Sequence, residues 1–283
     1  LAITVIVAAF MFLTDAIRNR GRPRRLPGPS GFARIRGRMT RAAQPTLLLV
    51  PAKVPGFSKL GGDPELPVGL AWPDDGGRPR RFIAQIDFGE LPDHEVPEWL
   101  PASARLYAFV DEERSGFADL VRVLSTDEPP GSAVLPPPRT AAFPERRVGF
   151  EVYESVPSLD WLGVDLLELN LSDQELDDLA DAPDAPFGDE LQHRIGGYPS
   201  EIQDARMATS CELIRRGLPE DSEAEITPAI ERASKQWRLL LQIDSDPALK
   251  MNWGDGGRLY VFIREKDALK GDFSRTVTIS QTY

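Results

Sequence analysis

Phe82-Ile83-Ala84-Gln85-Ile86-Asp87 and Leu239-Leu240-Leu241-Gln242-Ile243-Asp244 are two versions of one phrase, and their flanks repeat as well. Upstream of the first stands Ser58-Lys59-Leu60-Gly61-Gly62-Asp63-Pro64, and upstream of the second stands His193-Arg194-Ile195-Gly196-Gly197-Tyr198-Pro199. Downstream come Arg105-Leu106-Tyr107-Ala108-Phe109-Val110 and Arg258-Leu259-Tyr260-Val261-Phe262-Ile263. The order is the same and the spacing differs, so the chain reads as two pseudo-symmetric halves, 58–111 and 193–264, carrying different insertions. Strict alternation along each phrase puts Ile83, Gln85 and Asp87 on one face, opposite Phe82, Ala84, Ile86 and Phe88. It likewise groups Leu240, Gln242 and Asp244.

Working outward, strands are expected at 46–50, 82–88, 105–111, 120–124, 148–156, 237–244, 257–264 and 275–282. Pro- and Gly-dense stretches at 51–81 and 129–144 read as surface loops, and the two Gly-Gly pairs as tight turns. Helices are expected at 159–171, at 173–181 behind the Ser172/Glu175 capping box, at 201–216, and from Pro228 with Thr227 as N-cap. Strand runs and helix runs are segregated, so the expected class is α+β, mostly antiparallel, with helical insertions.

With 283 residues, 41% of them hydrophobic, the chain can bury a substantial core, as one large domain or two small ones. Charge is uneven. Residues 1–45 hold nine of the 33 basic residues and one of the 44 acidic ones, which leaves 24 basic against 43 acidic beyond them, a net of −19. An acidic body of that size repels nucleic acid and attracts a basic protein partner. One cysteine, Cys211, excludes an internal disulfide and a multi-cysteine metal site.

Residues 1–17 are apolar apart from Thr4, Thr14 and Asp15, and read as a membrane anchor helix, somewhat short against the roughly 20 residues of a full span. The Arg cluster from Arg18 to Arg25 places the following body on the cytoplasmic side. A cleaved signal peptide is the rival reading, but it wants basic residues before the apolar run and a small-x-small site after it, and neither is visible. A buried helix is a third. Residues 18–45, rich in Arg, Pro and Gly, read as a basic tether able to rest on anionic lipid, and 46–283 as the α+β domain.

The dispersed phrases Ser58-Lys59-Leu60-Gly61-Gly62-x-Pro64, Trp72-Pro73, Ala84-Gln85-Ile86-Asp87, Leu100-Pro101 and Leu106-Tyr107-x-Phe109 continue in His193-x-x-Gly196-Gly197-Tyr198-Pro199 and Ile202-Gln203. The run from Leu239 to Asp246 and Trp253-Gly254-Asp255-x-Gly257 complete the set. Through them the chain resembles the YwqG-like family, a domain-of-unknown-function family, over roughly positions 46–283. The resemblance implies a compact α+β fold and no assigned activity or catalytic residues. The apolar N-terminus departs from the family's soluble members.

Candidate chemistry concentrates in two places. The first is a shared polar patch of Gln85, Asp87, Gln242 and Asp244, if the two phrases approach a pseudo-twofold axis. The plainer reading is that these side chains satisfy turn backbone groups beside the core. The second is the loop 244–257, where Asp244, Asp246 and Asp255 with Asn252 and Trp253 gather the oxygen donors that calcium or magnesium prefers. The spacing is not that of a helix-loop-helix calcium site, and turn capping explains the same residues. The Gly-Gly pairs lack the Lys-Ser/Thr of a phosphate loop, so no nucleotide site is evident. His193 beside Cys211 or Ser210 has no elbow motif around it and reads as a structural histidine, and Trp99 reads as partly exposed. Two functions are carried forward. One is a membrane-tethered, cytoplasm-facing module that binds a basic protein, of immunity or inhibitor type. The other is a small-ligand or divalent-cation binding protein, or an enzyme, with carboxylates at the axis.

Overall fold

Apolar alternation between turn residues produces ten strands in the computed structural model. It describes residues 31–92, 96–113, 119–138, 140–159, 161–163, 172, 174, 192–203 and 205–283. The strands are β1 (Gln44–Pro51), β2 (Lys59–Leu60), β3 (Arg81–Asp87), β4 (Arg105–Val110) and β5 (Val121–Thr126), followed by β6 (Arg146–Ser155), β7 (Arg194–Gly196), β8 (Trp237–Asp244), β9 (Arg258–Arg264) and β10 (Val277–Gln281). All pair antiparallel in one sheet of order β10-β9-β8-β7-β1-β6-β2-β3-β4-β5. The two edge strands meet: Val121 N–H donates to Thr278 Oγ1 at 3.2 Å, so the sheet curls into a nearly closed barrel. One apolar cluster fills it, drawing Ile83, Ala84, Ile86, Leu106 and Ala108 from one side and Leu240, Leu241, Ile243, Leu259 and Val261 from the other.

The sheet order reads the same from either edge, with β2 to β5 and their neighbour β6 answering β7 to β10 and their neighbour β1. Both phrases carry a β-bulge at the same step, between Phe82 and Ala84 and between Leu239 and Leu241. The extra residue shifts the alternation. Ile83 and Leu240 therefore enter the barrel, while Phe82 and Leu239 join Gln85 and Gln242 on the outer face. Simple alternation had grouped Ile83 with Gln85 and Leu240 with Gln242, and the bulge overturns that grouping.

The expected α+β class behind a transmembrane-type helix is corrected. The described chain is an antiparallel barrel with few, short helices: α1 (Gly31–Arg41), α2 (Met207–Arg215), α3 (Pro228–Ser234) and α4 (Glu265–Ala268). Among the described residues no helix is long and apolar enough to cross a membrane, so the membrane-anchored placement is withdrawn with it. The anchor segment 1–17 itself lies outside the described residues, as do His94 and most of the helices expected at 159–171 and 173–181. Helix α1 falls inside the stretch read as an irregular tether. Ile35 and Met39 are buried one turn apart, an apolar spacing that the density of arginine concealed. Helix α3 starts as the sequence says, with Thr227 Oγ1 accepting from Ile230 N–H and Pro228 at the first position.

The chain divides into two units, 1–43 with 156–188 and 44–155 with 189–283. In the first, Arg38 donates to the Leu162 carbonyl at 3.3 Å. The second is the barrel.

Candidate functional site

Gln85 and Gln242 are both 0% exposed, and each staples a covering loop to the outer face of its strand. Gln85 accepts from Glu65 N–H at 2.9 Å and donates to the Phe57 carbonyl at 2.8 Å. Gln242 accepts from Ser200 N–H at 3.0 Å and donates to the Gln192 carbonyl at 3.2 Å. One strand over, the Tyr107 hydroxyl donates to the Glu65 carbonyl at 2.9 Å and the Tyr260 hydroxyl to the Ser200 carbonyl at 2.6 Å. Burial pushes the Tyr107 hydroxyl up to about 12 and raises Tyr260 as well, so both stay protonated donors. Asp87 N–H donates to Ser58 Oγ, Asp244 N–H to His193 Nδ1, and the two carboxylates face Arg105 at 2.9 Å and Arg258 at 3.3 Å.

These two networks do not meet. In the ten-strand order β3 and β8 stand five places apart whichever way the barrel is traversed, and both Gln side chains point away from its interior. Gln85 with Asp87 and Gln242 with Asp244 therefore occupy opposite outer faces. What each satisfies is backbone: a loop lying on a sheet buries N–H and C=O groups that need partners.

The two Gly-Gly pairs let these loops approach. Gly61, Gly62, Gly196 and Gly197 all have positive φ, between 63° and 72°. A Cβ on Gly62 would stand 2.3 Å from Glu145 Oε2, and one on Gly197 1.7 Å from Thr46 Oγ1.

In the loop after β8, Asp246 is wholly buried and its carboxylate is saturated. It accepts from Ala248 N–H at 2.9 Å and Leu249 N–H at 3.3 Å, capping the turn at Pro247–Leu249, and from Arg146 and His193 Nε2, the latter at 3.3 Å. Burial alone would raise its pKa, but the hydrogen bonds from His193 and Arg146 hold the carboxyl well below the usual range. Because His193 Nδ1 accepts from Asp244 N–H, Nε2 is the protonated nitrogen. Both ring nitrogens are thus engaged, leaving none for Cys211 or Ser210. Cys211 is buried, and burial raises its thiol well above the ordinary value.

Asn252 and Asp255 are exposed, whereas Trp253 is buried edge-on against Phe143 at 6.0 Å, with its backbone N–H donating to Ser245 Oγ at 2.9 Å. Asp244 and Asp246 are committed to backbone and arginine, and Asp255 faces solvent. Among the described residues no group of three or more His, Cys, Asp or Glu side chains is placed to hold a metal ion. Trp99, read as partly exposed, belongs to the core at 8% exposure.

A cleft of about 220 Å³ lies between α2, the segment 220–226 and the end of β10. Met207, Leu213, Ile226 and Ile279 give it apolar walls, and Glu220 and Asp221 line it with charge. Gln281 fixes one side by accepting from Ile202 and Gln203 N–H at 2.8 and 3.1 Å. Helix α2 is held by Glu212: burial alone would raise its carboxyl, but Arg215, Arg216 and Trp237 bring it to about 2. Burial and the adjacent Asp221 charge raise the Glu220 carboxyl, while Arg206, which also lines the cleft, is paired with Glu223 at 2.8 Å. Sequence reasoning missed this site because its walls come from positions 203 to 281, and only the run of acids from Glu220 to Glu225 signals it.

Residues 58–281 match the family model described as Domain of unknown function (DUF1963). No curated protein matches the chain. The match covers most of the chain, and the protein belongs to the DUF1963 family.

Proposed function

We propose that the protein is a protein-binding module of immunity or inhibitor type that recognises a basic partner through the cleft beside α2. Within the family we place it among the YwqG-like members, on the phrases quoted from Ser58 to Gly257. The observation that carries the binding reading is the pairing of apolar walls with Glu220 and Asp221. A lysine or arginine side chain is amphipathic in the same sense: its methylenes lie along Met207, Leu213, Ile226 and Ile279, and its cation meets the two carboxylates. The net charge of −19 beyond residue 45 adds long-range attraction for the same partner. The side chains with catalytic potential, His193, Asp244 and Asp246, are spent on structural hydrogen bonds, which favours binding over turnover.

The test is a calorimetric titration with a short lysine- and arginine-containing peptide at low and high salt. Binding at low salt that weakens about tenfold or more in Glu220→Gln/Asp221→Asn supports the cleft. Equal binding by the variant, or none by the parent, removes it.

A further inference from the structure

The strand ladder fixes which way each backbone group of β10 points. Ser245 N–H donates to the Gly257 carbonyl at 2.9 Å and Glu265 N–H to the Gln236 carbonyl at 2.8 Å, so the odd-numbered residues of β9 bond toward β8. Successive residues of an antiparallel strand bond to opposite neighbours. Arg258, Tyr260 and Phe262 therefore bond toward β10, where they oppose Gln281, Ile279 and Val277. Thr278 and Ser280 are left with N–H and C=O directed at the seam with β5.

That seam closes at the first of them and opens at the second. Val121 N–H reaches Thr278 Oγ1 at 3.2 Å. The chain leading into β5 then turns elsewhere: the Leu120 carbonyl accepts from Asp111 N–H at 2.9 Å, and the Asp119 carbonyl accepts from Arg80 Nη1 at 2.7 Å. Among the described residues none bonds the Ser280 N–H or carbonyl. Ser280 is half-buried, and it lines the cleft beside α2 together with Ile279 and Gln281. The cleft thus borders an open strand edge, and an edge with unpaired backbone is a template for another strand.

We propose that the basic partner enters the cleft as an extended segment that pairs antiparallel with β10 at Ser280. This rests on the cleft reading above and adds how the partner is held. Residues opposite one another across a ladder share a face. The partner residue that exchanges backbone bonds with Ser280 therefore lies on the Ser280 face. Its two neighbours lie on the face of Ile279 and Gln281, where Met207 and Glu220 also line the cleft, and these are the lysine or arginine positions. Backbone pairing supplies affinity, and the alternate side chains supply selectivity. The occupant is a strand with cations at every second residue, matched by the charge of Glu220 and Asp221.

The experiment is calorimetry of the full chain with three hexapeptides of alternating valine and lysine: one unmodified, one N-methylated at the valines and one N-methylated at the lysines. All three carry the same side chains and charge. The unmodified and lysine-methylated peptides should bind alike, and valine methylation should weaken binding about tenfold or more, because the valine amides face Ser280. In the chain itself, Ser280→Pro removes the edge N–H and no bond to β9, and should weaken the unmodified peptide about tenfold while Tm holds. If that variant does not fold, hydrogen exchange of the parent chain reads the same contact, and the Ser280 amide should slow about tenfold on binding. Equal binding by the two methylated peptides overturns the proposal, as does loss on lysine methylation or unchanged exchange at Ser280. Absence of binding by the unmodified peptide removes the cleft reading and this proposal with it. Binding that depends on Glu220 and Asp221 but not on valine methylation removes this proposal alone.

Discussion

In the first half of the barrel the charges near the Gln85 network close among themselves, with Lys59 on Glu145 at 2.8 Å and Arg147 on Glu65 at 2.9 Å. In the second half the positions of those two carboxylates hold Thr46 and Ser200, and the buried acid of the following loop, Asp246, is held by His193 and by Arg146 from β6. The backbone bonds made by Gln85 and Gln242, by contrast, match residue for residue. A loop that covers a strand must satisfy its buried N–H and C=O groups in either half, so the glutamines and tyrosines are fixed by geometry. Charge pairs carry no such obligation, and there the halves diverge.

The largest expected effect breaks the comparison outright. Asp246→Ala removes the acceptor of Arg146, His193, Ala248 and Leu249. Chemical denaturation should show a loss of about 3–5 kcal/mol. The corresponding first-half residue is Gly89, so no variant there can match it.

Next, Gln242→Leu and Gln85→Leu each orphan one backbone N–H and remove one of the donors to a buried carbonyl that an arginine also reaches, and urea titration should show losses of about 1–3 kcal/mol each. Gln242→Leu is the costlier, since its bond to the buried Asp244 carboxylate at 2.9 Å is shorter than the bond from Gln85 to Glu65 at 3.4 Å. Equal losses would mean that the backbone bonds alone carry the effect.

Alanine at the equivalent glycines sharpens the contrast further. Gly197→Ala drives a methyl into the short Thr46 and Ser155 side chains, whereas Gly62→Ala meets the far end of the longer Glu145 side chain. Both strain a positive φ, at a cost of about 1–3 kcal/mol, and Gly197→Ala should lower Tm more.

The pH dependence is smaller still at neutral pH and appears only in acid. Glu212 falls from 4.5 to about 2 on folding and Asp246 is also depressed, so the stability they confer is complete above their unfolded values. It is lost as protons bind the folded form, and denaturation midpoints should decline between about pH 4.5 and pH 2. The smallest effect is calcium or magnesium: Asp244 and Asp246 are saturated by protein donors, and scanning calorimetry should show no change in Tm.

The strands were legible where apolar runs sit between turn residues: β8 is Trp237–Asp244 as expected, and β4 and β9 end within one residue of expectation. The two-residue β2 and three-residue β7 were hidden inside the Gly-Gly phrases read as turns, since so short a strand has no period to show. Gln85, Asp87, Gln242 and Asp244 were legible as special residues. Their plainer role, satisfying backbone, was legible too, but their partners were not, because the groups they satisfy lie some 20 to 50 positions away.

By itself, then, the sequence determined the strand phrases, their repetition, the acidic body and the cap at Thr227, since all of these depend on neighbours along the chain. The tertiary structure decided the rest. A bulge of one residue in each phrase turned Ile83 and Leu240 inward, and closure of the sheet set Gln85 and Gln242 on opposite faces. These outcomes turn on which distant groups meet, and local pattern does not encode that.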